Sequence, residues 1–298
     1  VNQRGGVEAD LTVARLAQDK FLVLTPAFTC THIKAWLHDH TPADAFCVVT
    51  DVSGAWAMLN LQGPNSRALL SKLSSTRFDN EAFPYGSWAN IEIGYQTALC
   101  LRLSYTGELG YELYIPSEMA LPVYDQLLAA GSDFGLTHCG YHTLNSLRIE
   151  KAFREWAHDM GPIDSLLEAG LGFTCAWHKP GGFIGREALL AQRDGGPLQR
   201  RLVQFVLDDP LPVLVHNEPI LRDGERVGHT TSAAYGHTLG SSVAMGYLHC
   251  EDGVTPAYVA AGTYQIEQAN RVYNARASLT PMYDAKSCLL YTSPSPRD

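Results

Sequence analysis

The stretch Leu101–Pro116, LRLSYTGELGYELYIP, decides how the rest of the chain is read. Leu101, Leu103 and Tyr105 alternate with Arg102 and Ser104 up to a turn built on Gly107 and Gly110, and the alternation resumes as Tyr111, Leu113 and Ile115. Two alternating runs joined by a glycine-containing turn predict a β-hairpin. Successive side chains on a strand point to opposite faces, so Glu112 and Tyr114 share one face while the other is continuously apolar. A carboxylate so placed either faces solvent on a half-exposed strand or is held by an assigned partner, and the residues alone leave both open.

With 298 residues, 46% of them hydrophobic, the chain can bury a substantial core and form more than one domain. Its 22 Lys and Arg against 31 Asp and Glu give a formal charge of −9, which argues against a general surface for nucleic acid or anionic membrane. No window approaches the ~20 apolar residues of a transmembrane helix. The start, VNQRGGVEAD, lacks a charged-then-apolar signal segment, and the native amino terminus is expected to lie upstream. The seven cysteines, an odd number with no C-x-x-C, fit a reducing compartment with unpaired thiols, and none is assigned a function.

Residues 5–24, GGVEADLTVARLAQDKFLVL, read as a second hairpin around the polar AQDK turn. Asp10 follows the Gly5-Gly6 break at the start of its first strand, where a short acid either caps a turn or is aimed into a cleft. Thr12 is expected on the same strand face as Asp10. A helix is predicted over Thr31–His40, strands over Phe46–Asp51 and Trp56–Gln62, and a helix behind Pro64. The unit LQGPNSRALL lacks the G-x-G-x-x-G dinucleotide fingerprint. Strands are expected over Trp88–Ile93 and Thr97–Tyr105, and helices over Leu121–Ala130 and Gly140–Phe153. Arg148 and Lys151 on the last of these make a solvated face, a structural ion pair or a basic stripe. His138 and His142 have helical ligand spacing, but Gly140 between them and the absence of an H-E-x-x-H pattern argue against zinc. Beyond Gly195-Gly196-Pro197 the pattern turns to short strands, among them RLVQFVL, SVAMGYLH, PAYVAA and YQIEQA, which predict an antiparallel barrel with its strongest hairpin signal at Asp223-Gly224.

YTGELGYELYIP, GGVEADL, GYHTLNSLRIEKAF and FIGREAL together resemble the folate-dependent aminomethyltransferases: the T-protein of the glycine cleavage system and the carboxy-terminal half of FAD-linked dimethylglycine and sarcosine dehydrogenases. The resemblance extends to Asp284. It implies an α+β fold of T-protein-like folate-binding α/β subdomains followed by a C-terminal antiparallel β-barrel. The domains expected are 1–196 for the folate part, truncated at its start, and 197–285 for the barrel, with 286–298 a non-native tail.

The resemblance also implies the site. Asp10 matches the catalytic carboxylate at the reacting end of tetrahydrofolate, Thr12 a neighbouring folate contact, Tyr105 a ring packed on the folate, and Glu112 the acceptor of pterin N–H groups, with Leu113 and Tyr114 beside it. An amidine-like donor pair suits a bidentate carboxylate, and an aromatic ring supplies stacking area. Ala9 replaces an Asp of the T-protein pattern, and Leu144 stands where the T-protein has a folate-binding Arg; both departures favour the dehydrogenase branch. The implied function is one-carbon transfer: the oxidised N-methyl carbon, as iminium or formaldehyde, passes to tetrahydrofolate and gives 5,10-methylenetetrahydrofolate. FAD would belong to an upstream domain of the same polypeptide. A free-standing T-protein and a non-catalytic scaffold are the alternatives. The implied compartment is the cytoplasm of a bacterium, or the mitochondrial matrix in a eukaryote.

Overall fold

A hairpin, a four-stranded sheet and a closed barrel make up the β structure of the computed structural model, which describes residues 1–291. The chain divides into two compact units: one holds Asp10–Cys139 with the segment from Ser287, the other Val1–Ala9 with Gly140–Lys286.

In the first unit, β1 (Thr12–Arg15) and β2 (Phe21–Leu24) pair antiparallel as expected, with Thr12 opposite Leu24. The helix α1 (Cys30–Asp39) follows. Phe46–Asp51 does not form the predicted strand: all six residues are exposed, since no neighbouring strand edge pairs with them. Next come β3 (Trp56–Gln62), α2 (Ser66–Leu73), β4 (Trp88–Ile93), β5 (Gln96–Leu101), β6 (Gly110–Pro116) and α3 (Ala120–Gly131). The sheet order is β3-β6-β5-β4, antiparallel throughout. On one face Tyr111, Leu113 and Ile115 of β6 pack with Leu69 and Leu70 of α2, Val123 and Leu127 of α3, and Phe78 and Phe83.

β5 stops at Leu101 rather than at Tyr105. Arg102 turns to the other neighbour: its N–H donates to the Ser87 carbonyl and its carbonyl accepts from the Gly86 N–H. The loop 102–109 is then held by its own hydroxyls, with Ser104 and Thr106 3.2 Å apart and the Glu108 N–H donating to Ser104 Oγ. Gly110 opens β6 against the Gln62 side-chain amide.

The second unit contains α4 (Tyr141–Glu150), α5 (Arg186–Asp194) and a barrel of β7 (Arg200–Leu207), β8 (Pro219–Arg222), β9 (Glu225–Gly236), β10 (Ser241–His249), β11 (Tyr264–Gln268) and β12 (Arg271–Ser278). The barrel closes in the order β10-β7-β12-β11-β8-β9. Val203, Phe205 and Leu207 of β7 fill its interior, while Leu202 and Val206 face outward onto Ile149 of α4. A strand buried on both faces explains why RLVQFVL reads as a nearly continuous apolar run. Asp223 (φ 53°) and Gly224 (φ 87°) form the two-residue turn between β8 and β9, a conformation that glycine adopts without strain.

PAYVAA is a helix, α6 (Pro256–Ala261), and not a strand. Thr255 accepts from the Tyr258 N–H at 3.1 Å and Pro256 occupies the first turn, a start signal that overrides the β-branched and aromatic content. Thr255→Ala is therefore expected to cost about 1 kcal/mol of barrel-unit stability in urea titration, and Thr255→Ser close to nothing.

Arg148 and Lys151 form neither a basic stripe nor a solvated face, since both are buried. The Arg148 guanidinium pairs with Asp159 at 2.6 Å and Glu155 at 3.0 Å, the structural ion pair.

Candidate functional site

Glu112 and Tyr114 occupy the face of β6 opposite the helices, as their parity requires, and both are half-buried. Across the ladder Glu112 lies between Asn60 of β3 and Leu101 of β5. The Tyr114 hydroxyl donates to one Glu112 oxygen at 2.7 Å, and among the described residues no donor engages the other. The same face carries an apolar floor, because Leu99, Leu101, Trp88 and Tyr114 pack with Ala14, Leu16, Leu22 and Leu24 of the β1–β2 hairpin.

A cavity of about 260 Å³ opens between this hairpin and the sheet, lined by Thr12, Ala14, Gly86, Trp88, Leu101 and Leu103 among others. Thr12 thus reaches the site from β1, and Leu101 joins the cavity wall to Glu112 across the strand pair. The Trp88 indole N–H anchors this wall by donating to the Arg15 carbonyl at 3.0 Å. Tyr105 sits half-buried in the 102–109 loop, two residues beyond the cavity-lining Leu103.

Asp10 precedes β1 by two residues, outside the strand, so strand parity does not set its direction. It keeps contact with solvent, yet the protein crowding it pushes its carboxyl above the ordinary range. Leu113 stands apart from the other expected contacts. Its side chain is fully buried on the helix-facing side, and only its backbone borders the Glu112 face.

Tyr85 escaped the sequence pattern. It lies in an irregular stretch before β4, half-buried, with its hydroxyl at the Ser104 backbone and within electrostatic reach of Glu112. Only the loop that brings it there could have revealed it. His138 Nε2 lies 2.7 Å from the Tyr124 hydroxyl.

Burial raises the Glu112 carboxyl above its ordinary value, and the Tyr114 hydroxyl bond opposes that shift without cancelling it. The unfolded chain therefore loses this proton first as pH rises. Stability falls through the window between the unfolded and folded pKa values, and the cost persists above it. Glu112→Gln removes that cost. The ligand-free variant is expected to melt about 1–3 °C above wild type at pH 7, with the gap closing below pH 4, in scanning calorimetry.

Two family descriptions match the chain in sequence order: the GCVT N-terminal domain over residues 1–179 and the glycine cleavage T-protein C-terminal barrel domain over residues 200–284. The chain belongs to the glycine cleavage T-protein family. It is 43% identical to a 4-methylaminobutanoate oxidase (formaldehyde-forming) of Paenarthrobacter nicotinovorans over 96% of this chain and 34% of that one. It is 39% identical to the mitochondrial sarcosine dehydrogenase of Homo sapiens over 95% of this chain and 32% of that one. The chain spans about a third of the length of these curated relatives. The crystal structure of the glycine cleavage system aminomethyltransferase T from Bartonella henselae shares the T-protein fold. It matches with a TM-score of 0.76 at 24% identity, over 92% of this chain and 72% of that one. No helix among the described residues is long and apolar enough to cross a membrane.

Proposed function

We propose that this T-protein-family chain is the tetrahydrofolate-binding, one-carbon-transfer module of an FAD-linked N-methyl amine dehydrogenase of the sarcosine and dimethylglycine type. The observation that carries the proposal is Glu112: a half-buried carboxylate, one oxygen bonded by Tyr114 and the other open, beside a cavity whose wall includes the apolar side chains of Trp88, Leu101 and Leu103. A planar heterocycle with paired N–H donors on its edge fits that acceptor, and apolar walls suit its faces.

Bound tetrahydrofolate would supply the amine nitrogens that capture the oxidised N-methyl carbon, giving 5,10-methylenetetrahydrofolate. Glu112 holds the ring edge, Thr12 and Tyr105 border it, and Asp10 acts at the reacting end. Desolvation raises the Asp10 carboxyl, which makes it a better proton acceptor than an ordinary carboxylate, and its anion stabilises positive charge developing beside it. The oxidation itself would belong to a flavin domain upstream in the same polypeptide, in keeping with full-length relatives about three times as long. In this scheme residues 1–196 carry the folate chemistry and 197–285 the barrel.

Titration calorimetry with tetrahydrofolate tests the assignment. Glu112→Gln should weaken binding by about 1–3 kcal/mol, because half of a charged acceptor becomes a donor facing donors. Wild-type affinity in that variant would remove Glu112 as the anchor. Dependence of turnover on a lipoyl carrier protein rather than on an oxidised amine would instead identify a free-standing aminomethyltransferase.

A further inference from the structure

Arg102 is fully buried in the first unit, and Arg67, in the first turn of α2, converges with it on one atom. The Asn80 side-chain oxygen accepts from Arg102 at 2.6 Å and from Arg67 at 2.8 Å. Every other partner is neutral. Arg102 donates to the carbonyls of Phe83 at 2.5 Å and Leu290 at 3.1 Å, and Arg67 to the carbonyl of Tyr291 at 3.3 Å and to the Tyr111 hydroxyl. The Nε atoms of both are buried without an acceptor. No carboxylate among the described residues bonds either guanidinium, whereas buried Arg148 has two.

A fully buried Arg102 without a counter-charge among the described residues is a costly arrangement, and the like charge of the partly exposed Arg67 beside it raises the cost further. The planar fork of a guanidinium matches a carboxylate in geometry and charge. The groups that meet it here include main-chain carbonyls of residues beyond 284, where the family match ends.

We propose that Arg67, Arg102 and Asn80 form a receptor for a carboxylate, whose place is taken in this chain by the carbonyl oxygens of Leu290 and Tyr291. The ligand is either the terminal carboxylate of a polypeptide ending at this position or the acid group of a small molecule. This site lies on the helix-facing side of the sheet with Tyr111, and Tyr85, whose ring is 5.8 Å from that of Tyr291, is within electrostatic reach of both Arg102 and Glu112.

The experiment compares the full chain with chains stopped after Tyr291 and after Ser293. Stopping after Tyr291 puts the α-carboxylate at the guanidinium pair; stopping after Ser293 moves it two residues away and controls for truncation. If a chain end is the ligand, the chain ending at Tyr291 melts about 3 °C or more above the other two. Arg67→Gln abolishes that gain and Arg67→Lys, which keeps the charge without the fork, retains part of it. If the ligand is a free acid, sodium acetate raises the melting temperature of the full chain above an equal concentration of sodium chloride, and Arg67→Gln removes the difference. Equal melting temperatures for all three lengths with no acetate effect overturn the proposal, as does a gain that both Arg67 variants leave untouched.

Discussion

In an Asp10→Asn version of the flavin-linked enzyme proposed above, amine-driven flavin reduction is expected at the wild-type rate, while 5,10-methylenetetrahydrofolate formation falls ~10²-fold or more. In the proposed scheme oxidation takes place at the flavin of a separate domain, so only the capture step should feel the substitution. An amide neither accepts a proton nor neutralises a cation, and the proposed scheme gives both tasks to the Asp10 carboxylate. Released formaldehyde should rise in step. Were Asp10 merely a turn residue, Asn would serve nearly as well and the product ratio would hold. Stopped-flow absorbance for the flavin, paired with a product assay, separates the cases. Unchanged partitioning sinks the catalytic role, and a lost flavin phase points to a disturbed fold.

The largest effect on stability is expected from Arg148→Met. Arg148 Nη1 donates to Asp159 at 2.6 Å and to the Phe153 carbonyl at 2.9 Å, and Nε to Asn145 at 2.8 Å. Asp159 is wholly buried and also accepts from the hydroxyls of Thr231 and Ser232, while its carbonyl accepts from Tyr247. Removing the cation leaves that carboxylate in a dry setting with its hydrogen bonds and the field of Arg154 but without its ion-pair partner, at a cost of about 3–5 kcal/mol. Urea unfolding of the second unit should show it as a lowered midpoint at constant slope. A loss under about 1 kcal/mol would mean that the hydroxyls alone support Asp159.

The face of β6 was legible in the sequence because parity is a local property: Tyr111, Leu113 and Ile115 face the helices, and Glu112 and Tyr114 the other way. The same rule places Leu113 away from any ligand at Glu112, a consequence of the alternation that outweighs its motif position. What stayed hidden depended on distant partners. Leu103 and Tyr105 alternate like strand residues, but Arg102 pairs with Gly86 and Ser87 and ends the ladder. Phe46–Asp51 has strand composition and no strand beside it. Arg148 looks like a surface cation on its helix, and only the fold supplies Glu155 and Asp159. PAYVAA was readable, since Thr255-Pro256 announces a helix start that its composition obscures.

The exposed apolar strip bears on how the protein behaves in the tube. Phe46, Val48, Val49 and Val52 lie open in sequence just ahead of β3, which is an edge strand bearing exposed Trp56 and Met58. An open edge with unpaired backbone donors and acceptors next to greasy side chains is a template for strand-to-strand sticking between molecules. Ammonium sulfate, which strengthens burial of such surface, works against a monodisperse sample, whereas the barrel, closed on itself, adds no edge to the problem.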